Sequence, residues 1–233
     1  MVVVINEDMK MEHSFWHKKW EVNQTGFHLD YVHPLLKRNI ELFQVNDQLK
    51  RSDIIFVPLC GKTLDIGFLL DFGYHVIAVE LSEIAVQAVF KERNLIPEIS
   101  EWSAGKLYQT RSLSIFVGDF FALSKQDLNN HGDSVSLVYD RAALIALPEK
   151  IRQKYAAHLA LITQNSPQLL ITLDYDQSIV SGPPFAVSTN EVEALYAGEY
   201  LIQLLEEADI IEEEPRFKAK GLTSFYQRAY KLK

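Results

Sequence analysis

A turn that contains a glycine and a carboxylate that follows it carry the first chemical signal in this sequence. The apolar run IIFVPL (residues 54–59) ends at Cys60-Gly61, and a second run, VIAVE (residues 76–80), ends on Glu80. In a nucleoside-binding βαβ unit, a carboxylate about 20 residues beyond the first turn accepts hydrogen bonds from ribose hydroxyls. The turn at Gly61 and the side chain of Glu80 therefore predict a nucleoside cofactor site.

The residues of the turn separate phosphate-bearing ligands from phosphate-free ones. A P-loop, G-x-x-x-x-G-K-[ST], needs a further glycine where this chain has Phe56. A dinucleotide site needs G-x-G-x-x-G, and only Gly61 of that set is present. Both of these hypotheses are weak, whereas S-adenosylmethionine, which has no phosphate, needs only the turn and the ribose carboxylate. The structural alternative is that Gly61 only turns a strand into a helix and Glu80 only caps the next helix.

Further candidates follow later apolar runs. Asp119 and Phe120 come after the run at residues 113–117, where a carboxylate could meet an adenine amino group and a ring could cover the purine. Arg141 follows Asp140, and an arginine there could hold an anionic group by two parallel hydrogen bonds. The structural alternatives are a helix N-cap for Asp119 and a local ion pair between Asp140 and Arg141.

These residues need an alternating series of strands and helices to position them. Such alternation predicts an α/β fold with a mostly parallel sheet and helices on both faces. The last strand follows its predecessor without a strong helix between them, so we expect an antiparallel C-terminal hairpin strand near the sheet edge. Seven strands in this arrangement outline a Rossmann-like class I methyltransferase. Predicted strands are residues 54–59, 76–80, 113–117, 135–140, 169–174, 200–205 and 223–232, and predicted helices include 33–43, 82–93, 149–163 and 189–196.

Composition limits the classes of partner. A chain of 233 residues predicts a single domain, residues 1–233, and a net charge of −8 argues against nucleic acid. One cysteine fits a reducing cytoplasm, and no apolar run approaches a membrane span of about 20 residues. The histidines lack metal-ligand spacing, so we expect no metal. Residues 1–10 are predicted to be a disordered extension, and no pattern favours assembly beyond a monomer.

Several segments together resemble a known family. They are FWHKKWEVNQTGFH (residues 15–28), VPLCGKTLD (57–65), VELSE (79–83), DRAALIAL (140–147) and GPPF (182–185). In this order the chain resembles the thiopurine S-methyltransferases of the bacterial type over nearly its whole length. The resemblance implies transfer of a methyl group from S-adenosylmethionine to the sulfur of an aromatic or heterocyclic thiol, with S-adenosylhomocysteine as product.

The resemblance also implies roles for individual residues. Catalysis is expected from Arg141 and Arg216, whose charges would favour a thiolate. Residues 11–45 are expected to form a helical lid. The cofactor contacts implied are Trp20, Leu59, Glu80, Asp119, Phe120 and Arg141, and the substrate contacts expected are Phe27, Arg141, Pro184, Phe185 and Arg216.

Residue patterns alone leave alternatives open. Trp16 and Trp20 lie one helical turn apart, which is typical of core packing. Arg216 follows a run of glutamates, so a solvated charge cluster is an equal interpretation. At the level of function, the same fold could methylate selenium or tellurium oxyanions or a halide, or the chain could bind a nucleoside without catalysis.

Overall fold

The computed structural model describes residues 7–26, 28–46, 49–130 and 134–233. The chain divides into two compact units, residues 1–134 and residues 135–233. The turn at Gly61 and Glu80 belong to the first unit. Arg141 and the GPPF segment belong to the second.

The sheet of the first unit has a parallel part and an antiparallel edge. Its strand order is β3-β4-β5-β2-β1. Strand β2 pairs in parallel with both β1 and β5, whereas β4 is antiparallel to β3 and β5. Its strands are β1 (Ile54–Val57), β2 (His75–Glu80), β3 (Glu98–Trp102), β4 (Gly105–Gln109) and β5 (Leu113–Val117), and its helices are α1 (Glu7–Glu21), α2 (Pro34–Asn46), α3 (Asp65–Asp71), α4 (Glu83–Glu92) and α5 (Lys125–Asn129).

The parallel strands form where the sequence is mainly apolar. Every residue of β1 is buried, as is every residue of β5. Helix α3 ends before Gly73, whose φ of +92° is a conformation that glycine adopts without a Cβ penalty. Helix α4 begins after Ser82, whose side chain accepts a hydrogen bond from the Ala85 amide. These local signals place Glu80 at the C-terminal end of a buried strand.

The second unit combines a parallel pair with the antiparallel hairpin expected from the sequence. Its strand order is β6-β7-β9-β8. Strands β6 and β7 are parallel, and β9 is antiparallel to both β7 and β8, which confirms the antiparallel C-terminal strand. Its strands are β6 (Val135–Arg141), β7 (Gln168–Asp174), β8 (Ile202–Asp209) and β9 (Tyr226–Leu232), and its helices are α6 (Glu149–Thr163), α7 (Thr189–Tyr196) and α8 (Pro215–Lys218).

The structure differs from the elements predicted from the sequence at three places. Nine strands occur among the described residues instead of the seven predicted, because the hairpin of β3 and β4 was missed. Strand β8 runs on to Asp209, through an acidic segment that lacks strand-like alternation. Helix α1 begins at Glu7, so the described part of the segment predicted to be disordered is helical. Residues 1–6 of that segment lie outside the described residues.

Candidate active site

Glu80 is the centre of the candidate site in the first unit. Its side chain is buried, with 6% of its surface exposed. Oε2 accepts a hydrogen bond of 2.7 Å from the Gly61 amide, and Oε1 accepts one of 2.8 Å from the Ser82 amide. Burial raises the pKa of Glu80, and the backbone hydrogen bonds oppose that rise. Since each carboxylate oxygen has two acceptor positions, Glu80 can fix the turn and still accept ribose hydroxyls.

The turn that Glu80 holds has an unusual backbone. Leu59 has φ of +44° and Gly61 has φ of +55°, and the Cys60 amide donates to the Val79 carbonyl at 3.0 Å. A leucine in the left-handed region costs of order 1–3 kcal/mol, and such residues cluster at ligand sites. The predicted cofactor contact at Leu59 is thus the strained residue of this turn. Burial raises the pKa of Cys60 well above its usual value, so its thiol is poorly suited to act as a nucleophile.

Trp20 covers the same turn. Its side chain is 7% exposed, and a Cβ placed on Gly61 would lie 3.3 Å from Cζ2 of the indole. A side chain at Gly61 would therefore crowd the ring as well as strain the backbone. The core-packing interpretation of Trp20 is confirmed, and it packs on the segment predicted to hold the cofactor.

Asp119 and Phe120 follow β5 at the same end of the sheet. The Gly118 amide donates to the Glu80 carbonyl at 3.0 Å, which ties this segment to β2. Asp119 caps a 3-10 turn, since its Oδ1 accepts from the Phe121 amide at 2.9 Å. The N-cap predicted for Asp119 is confirmed. Phe120 is only 3% exposed, and its ring packs edge-on against that of Phe121, with 5.3 Å between the ring centroids.

Trp102 belongs to the β3–β4 hairpin, which was not predicted from the sequence, and it packs against the segment that leads to Asp119. Its indole N–H donates to the Val117 carbonyl at 3.1 Å. A Cβ on Gly118 would lie 2.8 Å from Cζ2 of Trp102, so the ring rests on the glycine that precedes Asp119. A large aromatic residue in a segment made mostly of polar residues was the available signal for this packing role.

Asp140 is an internal acceptor in the second unit. It is fully buried; its Oδ2 accepts from the Tyr155 hydroxyl at 2.7 Å, and its Oδ1 accepts from the Leu144 amide at 3.2 Å. Burial raises the pKa of Asp140 to about 6. The local ion pair considered for Asp140 and Arg141 is therefore wrong, because the carboxylate bonds to a tyrosine and a backbone amide. Asp140 instead orders the turn after Arg141, in which Ala142 has φ of +62°.

Arg141 ends β6 with a half-buried side chain, opposite Ile171 of β7. It forms no ion pair or hydrogen bond through its guanidinium with the residues that the structure describes. A guanidinium in this state is available to an anionic ligand.

The GPPF segment is anchored by several hydrogen bonds. The Phe185 amide donates to the Ile145 carbonyl at 2.7 Å, and the Tyr175 hydroxyl donates to the Pro184 carbonyl. The segment predicted to contact the substrate is therefore bonded to the turn that follows Arg141.

A buried arginine that the sequence analysis did not single out fixes this arrangement. Arg152 of α6 is 2% exposed and donates to the carbonyls of Leu147 and Ala186 at 2.8 and 3.0 Å. Its Nη1 also donates to both carboxylate oxygens of Glu191 at 2.6 and 2.7 Å. The guanidinium lies 5.8 Å from the centroid of the Phe185 ring. Arg152 thus joins the loop at Leu147 and the loop at Ala186 to α7. In the sequence it is one residue of a regular helical pattern, which does not predict these contacts.

The remaining predicted residues are less informative. Arg216 is 64% exposed and lies 3.7 Å from Glu214, which agrees with the charge cluster weighed as its alternative. Phe27 lies outside the described residues. The described residues contain no group of three or more His, Cys, Asp or Glu side chains that could hold a metal. None of the described helices combines the length and apolarity that crossing a membrane requires.

Replacement of Arg152 by methionine is expected to destabilise the protein by about 3–5 kcal/mol, because Glu191 would lose the charge that compensates it. Urea unfolding at neutral pH measures this. The matched control is Lys218→Met, which removes the exposed ion pair with Glu212 and should leave the free energy of unfolding nearly unchanged. Equal effects of the two substitutions would contradict the role assigned to Arg152.

Asp140 predicts a pH dependence with a defined sign. A folded-state pKa of about 6, against an ordinary 3.8, means that the folded protein binds more protons between these values. The unfolding free energy of the native chain, relative to Asp140→Asn, should therefore fall by about 2 kcal/mol as the pH rises from 4 to 7. Urea titrations of both proteins across this range test it. A relative stability that is level or rises would refute the pKa shift.

Comparison with known proteins places these features in a family. The sequence model of the family described as "Thiopurine S-methyltransferase (TPMT)" matches residues 11–233 and so runs through both units. A thiopurine S-methyltransferase of Pseudomonas fluorescens SBW25 is 44% identical over 223 residues, covering 95% of this chain and 99% of that protein. One of Shewanella pealeana is 42% identical over 95% of this chain and 98% of that protein.

Solved structures show the fold. The Burkholderia thailandensis 1,6-didemethyltoxoflavin-N1-methyltransferase, with S-adenosylhomocysteine bound, has a TM-score of 0.61 at 13% identity and covers 100% of this chain and 92% of that one. An S-adenosylmethionine-dependent methyltransferase from Anabaena variabilis has a TM-score of 0.57 at 12% identity, with 95% of each chain covered. The α/β class I methyltransferase fold predicted from the sequence is confirmed. With a family match that spans residues 11–233, this chain belongs to the thiopurine S-methyltransferase family of S-adenosylmethionine-dependent methyltransferases.

Proposed function

We propose that this chain transfers the methyl group of S-adenosylmethionine to the sulfur of an aromatic or heterocyclic thiol. The observation that carries the proposal is the buried carboxylate of Glu80, which amides orient beside a turn that lacks the glycines of phosphate-binding sites. The names of relatives that are 41–44% identical over almost their whole length support the thiol as acceptor. Cytoplasmic location and a monomeric state stay predictions of the sequence.

The donor-binding roles fall on the first unit. Glu80 accepts hydrogen bonds from the ribose, while the turn at Leu59 provides close backbone contact. Trp20 attracts the sulfonium through its ring face, since aromatic quadrupoles attract cations. Asp119 accepts from the adenine amino group, and Phe120 contributes a backbone or edge contact. S-Adenosylmethionine supplies an activated methyl group, and its neutral thioether product is the leaving group.

The acceptor-binding roles fall on the second unit, with Phe27 of the N-terminal segment as a further contact. Arg141 favours the thiolate over the thiol, because a nearby cation lowers the pKa of an acid. Pro184 and Phe185 form an apolar wall, and the hydrogen bonds of their segment hold it in place. Arg216 adds positive charge from the exposed end of α8.

Alignment and exclusion of water account for catalysis without a strong base. Asp140 is fully enclosed and already accepts hydrogen bonds from Tyr155 and Leu144, so it is poorly placed to take a proton from an acceptor. An aromatic thiol ionises readily and needs only to be held in line with the methyl group. Arg141 is therefore the residue on which the rate should depend most.

Methyl transfer to thiophenol, selenite and iodide by the purified chain, with labelled donor, tests the proposal. We expect turnover on thiophenol to exceed that on the other two. Preference for selenite or iodide would transfer the function to another soft nucleophile, and no turnover on any would favour a non-catalytic nucleoside-binding protein.

Arg141→Gln should lower kcat/KM for the thiol by about 10- to 100-fold, because a hydrogen bond to a charged group contributes about 1.5–3 kcal/mol. Its pH–rate profile should also shift upwards, since the thiol would ionise less readily. Steady-state assays from pH 6 to 9 measure both effects. Arg111→Gln, an exposed arginine just before β5, is the control and should behave as the native chain. An unchanged kcat/KM in Arg141→Gln would remove its catalytic role.

Glu80→Gln should weaken binding of S-adenosylhomocysteine by about 10- to 100-fold, because the ribose hydroxyls lose a charged acceptor. Calorimetric titration measures the affinity, and a melting curve shows whether the turn at Gly61 survives the change. The control is Glu83→Gln, which removes a nearby carboxylate that is bonded to Lys106 and Tyr108. Native affinity in Glu80→Gln would exclude Glu80 as the ribose acceptor.

A further inference from the structure

Helix α1 contacts two separate segments of the proposed cofactor site. Trp20, near its C-terminal end, packs on the turn at Gly61. His13, nearer its start, places Nε2 3.9 Å from Oδ1 of Asp119. The two residues are seven positions apart, which puts them on the same helix face about 10 Å from each other. Helix α1 therefore extends from the segment assigned to adenine to the turn at Gly61.

The carboxylate of Asp119 is engaged through one oxygen only. Oδ1 accepts the hydrogen bond of 2.9 Å from the Phe121 amide, and it is also the oxygen nearest His13. Among the described residues, none donates a hydrogen bond to Oδ2. The side chains of His13 and Asp119 are 29% and 17% exposed, so the contact between them is partly shielded from solvent.

We propose that His13 is a positioning residue for the adenine end of the cofactor site. Together with the Phe121 amide, it holds Oδ1 of Asp119 and so leaves Oδ2 to accept the exocyclic amino group of adenine. The inference rests on the proposed function, in which Asp119 contacts adenine. His13 acts through Asp119 and has no part in the methyl transfer itself.

The length of α1 supports this role. The family match begins at residue 11, whereas α1 begins at Glu7. His13 therefore lies beyond the first helical turn, where backbone amides lack partners and helices fray. A helix that began at residue 11 would leave His13 within that weak first turn.

The orientation of Asp119 can be tested by comparing two ligands that differ only in the base. S-Inosylhomocysteine carries a carbonyl oxygen where S-adenosylhomocysteine carries the amino group. An oriented carboxylate accepts a hydrogen bond from the amino group but faces another acceptor in the inosine analogue. Sites that hydrogen-bond a donor reject analogues that lack it, so the affinity ratio of the two ligands measures how well Asp119 is held.

The experiment titrates both ligands into the full chain and its variants by calorimetry. The native protein should prefer S-adenosylhomocysteine, and His13→Ala should lower that preference by about tenfold, because Asp119 would lose one of the two groups that fix its orientation. His13→Gln, which retains an N–H donor, should restore part of it. His17→Ala is the matched control, because His17 is exposed on the same helix and should leave the ratio unchanged.

The outcomes separate this inference from the proposed function. Absence of any binding of S-adenosylhomocysteine to the native chain would overturn both. Binding without preference over the inosine analogue would overturn the adenine role of Asp119 and with it this inference, while the methyltransferase assignment would stand. A native ratio in His13→Ala, or an equal loss of affinity for both ligands, would overturn the role of His13 alone.

Discussion

The first unit depends on a buried carboxylate that is held by backbone amides. Burying a charge without compensation is costly, and Glu80 is compensated by the amides of Gly61 and Ser82. These two hydrogen bonds join the turn after β1 to the start of α4. Because the turn is fixed in this way, Leu59 can keep its left-handed conformation and Trp20 can pack closely on Gly61. The carboxylate oxygens that we propose as ribose acceptors are therefore held in place by the protein itself, which would reduce the ordering cost of binding.

In the second unit, too, buried charged side chains form hydrogen bonds with the backbone of loops. Asp140 and Arg152 are both enclosed, and each directs its hydrogen bonds to loop backbone near the ends of strands. Asp140 orders the turn after Arg141, and Arg152 joins that turn to the GPPF segment. The buried charges thus hold loops in place, while the groups left for ligands, such as the guanidinium of Arg141, have no partner among the described residues. Fixed loops and an available cation suit a reaction that needs alignment more than acid–base chemistry.

Local chemistry explains which features the sequence could predict. The βαβ pattern, the isolated Gly61 and the acidic end of β2 are encoded in short segments, so the position of Glu80 at the end of a buried strand followed from spacing. The class I fold followed from the alternation of strands and helices. The helices Glu149–Thr163 and Thr189–Tyr196 matched because their apolar periodicity is regular. The hairpin of β3 and β4 was missed because β3 is an exposed edge strand with polar residues and little alternation.

Long-range contacts explain the remainder. Arg152 and Glu191 are separated by 39 residues, and neither stands in a recognisable motif, so only the folded chain brings them together. The burial of Asp140 could not be predicted from the sequence, where a charged arginine follows it. Its hydrogen-bond partner Tyr155 lies 15 residues later, on α6. The role proposed for His13 likewise depends on its distance to Asp119, which the sequence does not show. Sequence patterns located the buried strands, whereas the polar contacts between distant segments are visible only in the folded chain.

The most direct test of this account is calorimetric titration of the purified native chain with S-adenosylhomocysteine, ATP and NAD in parallel. The amide-held carboxylate beside a turn without phosphate-binding glycines predicts micromolar binding of S-adenosylhomocysteine and no binding of the two phosphate-bearing nucleotides. Equal or tighter binding of ATP or NAD would contradict the central role given to Glu80 and the turn at Gly61.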